Sequence, residues 1–281
     1  MKKLLSAICL TCLLVTTAYG AKNRDLARLT TNGHCNNCDL SGADLQGMDL
    51  SGARLMNTDF TGANLSGANL SDVNADEANF SEANLNGANM ASAKARNTDM
   101  RKADLTGAIL SNADLEKSDL REANLSSVDA KFADFSEALL NRAIFRNAEL
   151  TGANLSLASM YKTDFSFAEL RMSDFGSGQR AQQPRIYSEV IFTGANMSDM
   201  DLSRADLSGA NLGDVNLTNS SLVESKLFRA DLNNANLTNA DLTGATGLKD
   251  TQFKNAHACR TKWKDKIAND DCFKSWKAQP K

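Results

Sequence analysis

From Leu40 to Phe175 a large apolar residue falls on nearly every residue number divisible by five, as in Leu45, Leu50, Leu55, Phe60, Leu65 and Leu70. Two residues before each stands a small one, usually alanine: Ala43, Ala53, Ala63, Ala68, Ala78, Ala83, Ala88. A period of five fits neither a helix at 3.6 residues per turn nor a flat strand at two. Each unit must therefore turn the chain by a fixed angle, which predicts an all-β solenoid. If each unit makes one side of a square, a coil takes 20 residues, and residues 20 apart stack at about 4.8 Å. Phe60 then lies under Phe80, Phe145 under Phe165, and Leu115, Phe135, Leu155 and Phe175 share one column.

One unit cannot stand alone. Fixing five backbones costs about 5–10 kcal/mol, while burying one leucine returns about 1.5–3 kcal/mol. Stacking must supply the rest, so many coils are required. Where the register residue shrinks, at Ala75 and Ala130, the preceding small position grows to Val73 and Val128, as close packing requires.

The chain divides into six stretches. Residues 1–20 read as a secretory signal, with Lys2 and Lys3, an apolar run from Leu4 to Val15 and a small-x-small end at Ala18-Tyr19-Gly20. Its removal changes the formal charge from -3 to about -5. Residues 21–37 form an N-terminal cap, with Leu26 and Leu29 on one side of a short helix. Residues 38–175 are the first repeat block. Residues 176–186, rich in Gly, Ser, Gln and Arg with Pro184, read as a protruding loop. The register returns at Tyr187 or Phe192 with its phase moved by two, so 187–246 is a second block over which the surplus bulges outward. Residues 247–281 carry nine Lys or Arg against four Asp from Leu248 onward, and Cys259, Trp263 and Ile267 at four-residue spacing predict a helix over His257–Ala268.

Tandem units such as Ala63-Asn64-Leu65-Ser66-Gly67 and Ala68-Asn69-Leu70-Ser71-Asp72 resemble the pentapeptide-repeat family, whose consensus is Ala-Asp/Asn-Leu-x-x. The resemblance covers roughly residues 38–246 and implies a right-handed quadrilateral β-helix, here with short helical N- and C-terminal caps. It implies no catalytic residues and no cofactor. Some members protect DNA gyrase by mimicking DNA, often as dimers, but the export signal and cationic tail set this chain apart from them.

Cys35, Cys38, Cys259 and Cys272 suggest a zinc site by spacing alone. About ten coils separate the two pairs by nearly 50 Å, so in an exported protein two local disulfides, Cys35 with Cys38 and Cys259 with Cys272, are expected instead. Asp39, Asp59, Asn79, Asp99 and Asp119 form an acidic column, yet Arg101 and Arg121 fall beside it and cancel its field beyond about 8–10 Å. No nucleic-acid partner is expected. The histidines fall only near the ends, at His34 and His257, which leaves a rod-borne triad without a base.

One surface feature breaks the pattern. Leu139 and Ile144 stand where Asp or Asn usually points to water, and Leu157, Phe167 and Met172 occupy outer sites that are normally small or polar. Clustered exposed apolar residues mark contact surfaces. The alternative is that the loop folds back over them, since Leu157 should lie beneath Ser177. In the first case Arg180, Arg185 and Tyr187 would add a polar and aromatic rim. The expectation is an exported, periplasmic, non-enzymatic rod that binds a protein partner. Contact of the Trp-containing tail with a membrane surface, and homodimer formation, remain open alternatives.

Overall fold

The structure, a computed structural model, describes residues 20–175, 187, 189–263 and 266–267. The proposed signal segment 1–19, the loop 176–186 and the tail beyond 267 lie outside the described residues. The element order is a helix α1 (Gly20–Asn32), a long stack of coils, and a hairpin of β1 (Lys262–Trp263) and β2 (Lys266–Ile267). Within the stack each coil pairs in parallel with the next: Asp39, Asp44, Asp49 and Arg54 pair with Asp59, Asn64, Asn69 and Asn74, 20 residues on. The ladder bonds are short, for example Leu65 N–H to the Asn84 carbonyl at 2.7 Å and Asn84 N–H to the Ala63 carbonyl at 2.9 Å. Leu65 therefore lies directly beneath Leu85.

The five-residue unit follows from how its positions are used. The register residue and the small residue before it are buried in nearly every unit. Phe60 and Phe80 stack at 4.8 Å, and Phe145, Phe165 and Phe192 stack at 5.0 and 5.5 Å. The Asp or Asn between them points outward, and its side-chain oxygen accepts the N–H two residues on, as Asp39 does from Ser41 at 3.0 Å. This local bond is why short acidic and amide residues suit the position. A turn then closes each unit, with Ala43 N–H bonding the Leu40 carbonyl at 3.0 Å.

The second turn residue is left-handed at every described corner of the first block, with φ between +54° and +70°, whether it is Gly42, Glu82, Lys102 or Phe132. Most residues resist that region. They hold it here because the corner N–H is itself a rung, as when Asn57 bonds the Asp76 carbonyl at 3.0 Å.

The N-terminal end is covered as a free edge requires. Leu29 of α1 is buried on the first coil and Leu26 packs beside it. Asp25 accepts the edge N–H of Asp39 at 2.9 Å, and His34 Nδ1 accepts that of Arg54 at 3.1 Å. Cys35 and Cys38 form a disulfide with Cα atoms 5.5 Å apart, stapling the first corner. Cys259 is also disulfide-bonded; Cys272 lies outside the described residues.

Two insertions alter the register. Asp164 pairs with Ile191 and Glu169 with Asn196, 27 residues apart, so this coil carries seven extra residues. Tyr187 re-enters the bore after them. Its ring meets Phe175 edge-on at 5.5 Å, and its hydroxyl donates to the buried Phe175 carbonyl at 2.8 Å.

The second insertion corrects the reading of the C-terminal region. Asn236 pairs with His257 and Asp241 with Lys262, 21 residues apart, so the coils continue past residue 246 and no helix begins at His257. One extra residue near Gly247 shifts the phase, after which Leu248, Phe253, Ala258 and Trp263 keep the five-residue spacing. The apparent helical spacing of Cys259, Trp263 and Ile267 mixes an outward residue with an inward one. Thr251 and Thr261 fill the small inward sites and donate to the Leu227 and Leu237 carbonyls at 2.6 and 2.7 Å. Phe253 and Trp263 meet at 6.2 Å over the last coil.

Two substitutions test this packing by urea denaturation. Gly247 has φ +82°, and a Cβ there would lie 2.5 Å from the Phe228 backbone nitrogen, whereas Gly107 has φ +66° and open space around it. Gly247→Ala should destabilise by about 2–4 kcal/mol and Gly107→Ala by about 1 kcal/mol. Equal losses would contradict the close approach. Ser225 has the one described side-chain oxygen that is buried without a hydrogen bond. Ser225→Ala should therefore be neutral or stabilising by about 1 kcal/mol, and a loss of that size would reveal a hidden partner.

Candidate interaction surface

The 20-residue coil determines which outward residues share a face. Residues ten apart lie on opposite sides of the rod, so Leu157 and Phe167, at 52% and 63% exposure, occupy opposite corners. Met172, 72% exposed, is on a third corner, in the column of Phe132 and Gly152. Ile144 is only half-buried and sits one side away from Leu139. The expected cluster is thus a girdle around the coils below the long insertion, not one patch. Its members are near one another in sequence, but the 34 residues from Leu139 to Met172 pass around the rod almost twice.

Tyr187 is a further correction. At 3% exposure it is a core residue that closes the interrupted coil, and it offers no rim to a partner. Arg180 and Arg185 lie outside the described residues. Leu157, Phe167 and Met172 are exposed; whether the loop covers any of them falls outside the described residues.

One face remains coherent. Leu157 at one corner, Leu139 in the middle of the coil below and Tyr161 at the next corner are all exposed and occupy a single side. The long insertion leaves the stack after Phe175, on the coil directly above this side. Ile109, Phe132, Tyr161 and Phe228 are exposed too and were not singled out by the register. Two exposed rings lie against glycines of the following coil: a Cβ at Gly152 would meet the Phe132 ring at 2.5 Å, and one at Gly194 the Phe167 ring at 2.6 Å. An aromatic corner followed by glycine one coil later is a signal that the sequence does contain.

The charged walls are paired from coil to coil. Arg101 bonds Asp99 at 2.5 Å and lies 3.7 Å from Asp119, which Arg121 holds at 2.5 Å. Arg96 bonds Asp76 at 2.6 Å, and Arg142 pairs with Glu122 at 3.5 Å. The guanidinium of Arg101, bonded to Asp99, holds that carboxyl below the usual range. Burial pushes the Asp164 carboxyl up, but hydrogen bonds from Ser166 and from Arg146 at 2.5 Å outweigh it and leave it lowered. Alternating charges along the middle of the rod give no extended anionic stripe. Among the described residues no group of His, Cys, Asp and Glu is placed to hold a metal ion, and no helix is long and apolar enough to cross a membrane.

Comparison with known proteins agrees with this architecture. Pentapeptide repeats match in eight copies over residues 38–74, 76–112, 103–142, 140–176, 188–219 and 220–260. Among solved structures, the chain is similar to HetL, a pentapeptide repeat protein involved in heterocyst differentiation regulation from the cyanobacterium Nostoc sp. strain PCC 7120. The identity is 25%, the TM-score 0.55, and the match covers 88% of this chain and 96% of HetL. Rfr23, a pentapeptide repeat protein from the cyanobacterium Cyanothece 51142, matches at 24% identity over 50% of this chain and 99% of its own, with a TM-score of 0.28. Trypsin-treated QnrB1, a plasmid-mediated fluoroquinolone resistance protein, matches at 16% identity over 76% of this chain and 86% of its own, with a TM-score of 0.34. No curated protein matches the sequence. Repeats across more than half of its length, folded into stacked coils, place the chain in the pentapeptide repeat family.

Proposed function

We propose that the mature protein is an exported, non-enzymatic rod, a right-handed quadrilateral β-helix that presents a surface to another protein in the periplasm or an equivalent compartment. The observation that carries this reading is the single side on which Leu139, Leu157 and Tyr161 are exposed directly below a seven-residue surplus. These side chains lie outside the bore. Leu157 takes a left-handed corner at φ +61°, where glycine would be free of strain, and leaves its side chain in water. Retaining both costs suggests that something outside the coils is served. Export is supported by the leader pattern of residues 1–20 and by cysteine pairing at the first corner.

The DNA-mimic reading needs a continuous anionic face, and the paired walls at Arg96, Arg101, Arg121 and Arg142 oppose it. Association of the cationic tail with a membrane surface and homodimer formation are the remaining readings.

The test is an affinity pull-down from the native compartment with intact protein, a variant lacking the seven residues 178–184, which restores the 20-residue spacing, and Leu139→Ser/Leu157→Ser. The intact rod should retain a partner that both variants lose, with circular dichroism unchanged. Equal recovery by all three, or an uncleaved protein found in the cytosol, would contradict the proposal. Purified protein should leave gyrase supercoiling unaffected at about micromolar concentration; inhibition there would favour DNA mimicry.

A further inference from the structure

The corner column that separates the Leu139 side from the next runs Gly42, Gly62, Glu82, Lys102, Glu122, Arg142, Lys162, Glu189, Gly209, Arg229, Asp250. Its amides normally bond to the coil above: Gly42 to the Thr61 carbonyl at 2.8 Å, Glu82 to that of Arg101 at 2.9 Å, Arg142 to that of Tyr161 at 2.9 Å and Gly209 to that of Phe228 at 2.8 Å. Among the described residues the amides of Glu189 and Arg229 make no such bond, while that of Lys162 faces Ser188, which lies outside them. The two breaks have separate causes. Glu189 follows the long insertion, and Arg229 faces the extra residue near Gly247. They fall one coil below and one coil above Gly209, where the missing side chain leaves a gap whose nearest neighbour is the Glu189 nitrogen at 4.0 Å.

The result is a groove of about 460 Å³ lined by Glu189, Ser208, Gly209, Phe228, Arg229 and Asp250, a size ordinary for a small-molecule cleft. Phe228, 44% exposed, forms an apolar wall. Arg229 takes part in none of the described ion pairs, unlike Arg204 and Lys226 nearby, which bond Glu224 at 2.8 Å and Asp206 at 3.4 Å. Glu189 is paired with Lys162 at 3.5 Å, while Asp250 is unpaired among the described residues. A guanidinium and two unbonded amides thus flank the same gap as two carboxylates and an aromatic ring.

We propose that this groove binds a small zwitterion of the α-amino-acid class carrying an apolar side chain. Its carboxylate is received by Arg229 and the free amides, its ammonium by Asp250 and Glu189, and its side chain by the Phe228 ring. A simple anion would face two carboxylates, and a simple cation would face Arg229. Only a ligand bearing both charges uses every group. The proposal does not depend on the scaffold reading.

Calorimetric titration of the full chain with L-phenylalanine, phenylacetate and phenethylamine tests it. Phenylalanine should bind saturably, and the two analogues, each lacking one charge, about tenfold or more weakly. Gly209→Glu fills the gap with a side chain this column already accepts at Glu82 and Glu122 with φ +59° and +63°; it should abolish binding. Arg229→Gln should weaken binding about tenfold without changing the melting temperature. Failure of phenylalanine to saturate by about 10 mM, either analogue binding as tightly, or Arg229→Gln binding unchanged would overturn the proposal.

Discussion

Everything in this rod depends on one repeated interaction, the parallel backbone bond between a residue and its counterpart one coil later. Because coils lie a strand spacing apart, their cross-sections must match, and the bore admits one bulky and one small side chain per unit. The same ladder explains the corners. Glutamate, lysine, arginine and phenylalanine all adopt a left-handed backbone there, each at a local cost, because the corner amide is a rung that no other conformation would align. The hydroxyls of Thr58, Thr163 and Ser173 serve the same ladder from within, bonding the carbonyls of Cys35, Leu140 and Leu150 in the coil below at 2.5, 2.7 and 2.8 Å.

Much of this was legible because the side-chain period and the backbone period coincide. The leucine register places Phe60 under Phe80, and the two-residue phase change at Phe192 foretells a coil with surplus residues. The C-terminal coils were hidden by a different circumstance. Ala258 is too small to read as a register residue, threonines replace the inward alanines, and one extra residue near Gly247 breaks the count. The left-handed corners were not legible at all, since so many of them are not glycine or asparagine. Tyr187 misled because its hydroxyl suggests a surface role. In the bore it donates to the buried Phe175 carbonyl.

The candidate surface illustrates how a solenoid converts sequence distance into position. Leu139, Ile144, Leu157, Phe167 and Met172 look like one cluster along the chain, yet they are distributed around the rod. Only counting by whole coils shows that Leu139 and Leu157 share a side with Tyr161, while Phe167 faces the other way with its ring on Gly194. Beside the places where the rod departs from its repeat, the seven-residue surplus and the single extra residue near Gly247, Leu157, Tyr161, Phe167, Met172 and Phe228 are exposed and the Glu189 and Arg229 amides lack rungs. A uniform stack offers the same wall everywhere; its irregularities are where a partner or ligand finds something distinctive.

The central claim is that 100 residues of chain advance the rod by only five coils. Pulsed electron paramagnetic resonance between spin labels at Ser51 and Thr151, two positions of one corner column, measures that advance directly. Stacked coils predict a narrow distance distribution near 24 Å, from about 4.8 Å per coil. A broad distribution, or one centred beyond about 35 Å, would mean that these positions are not stacked and would contradict the account.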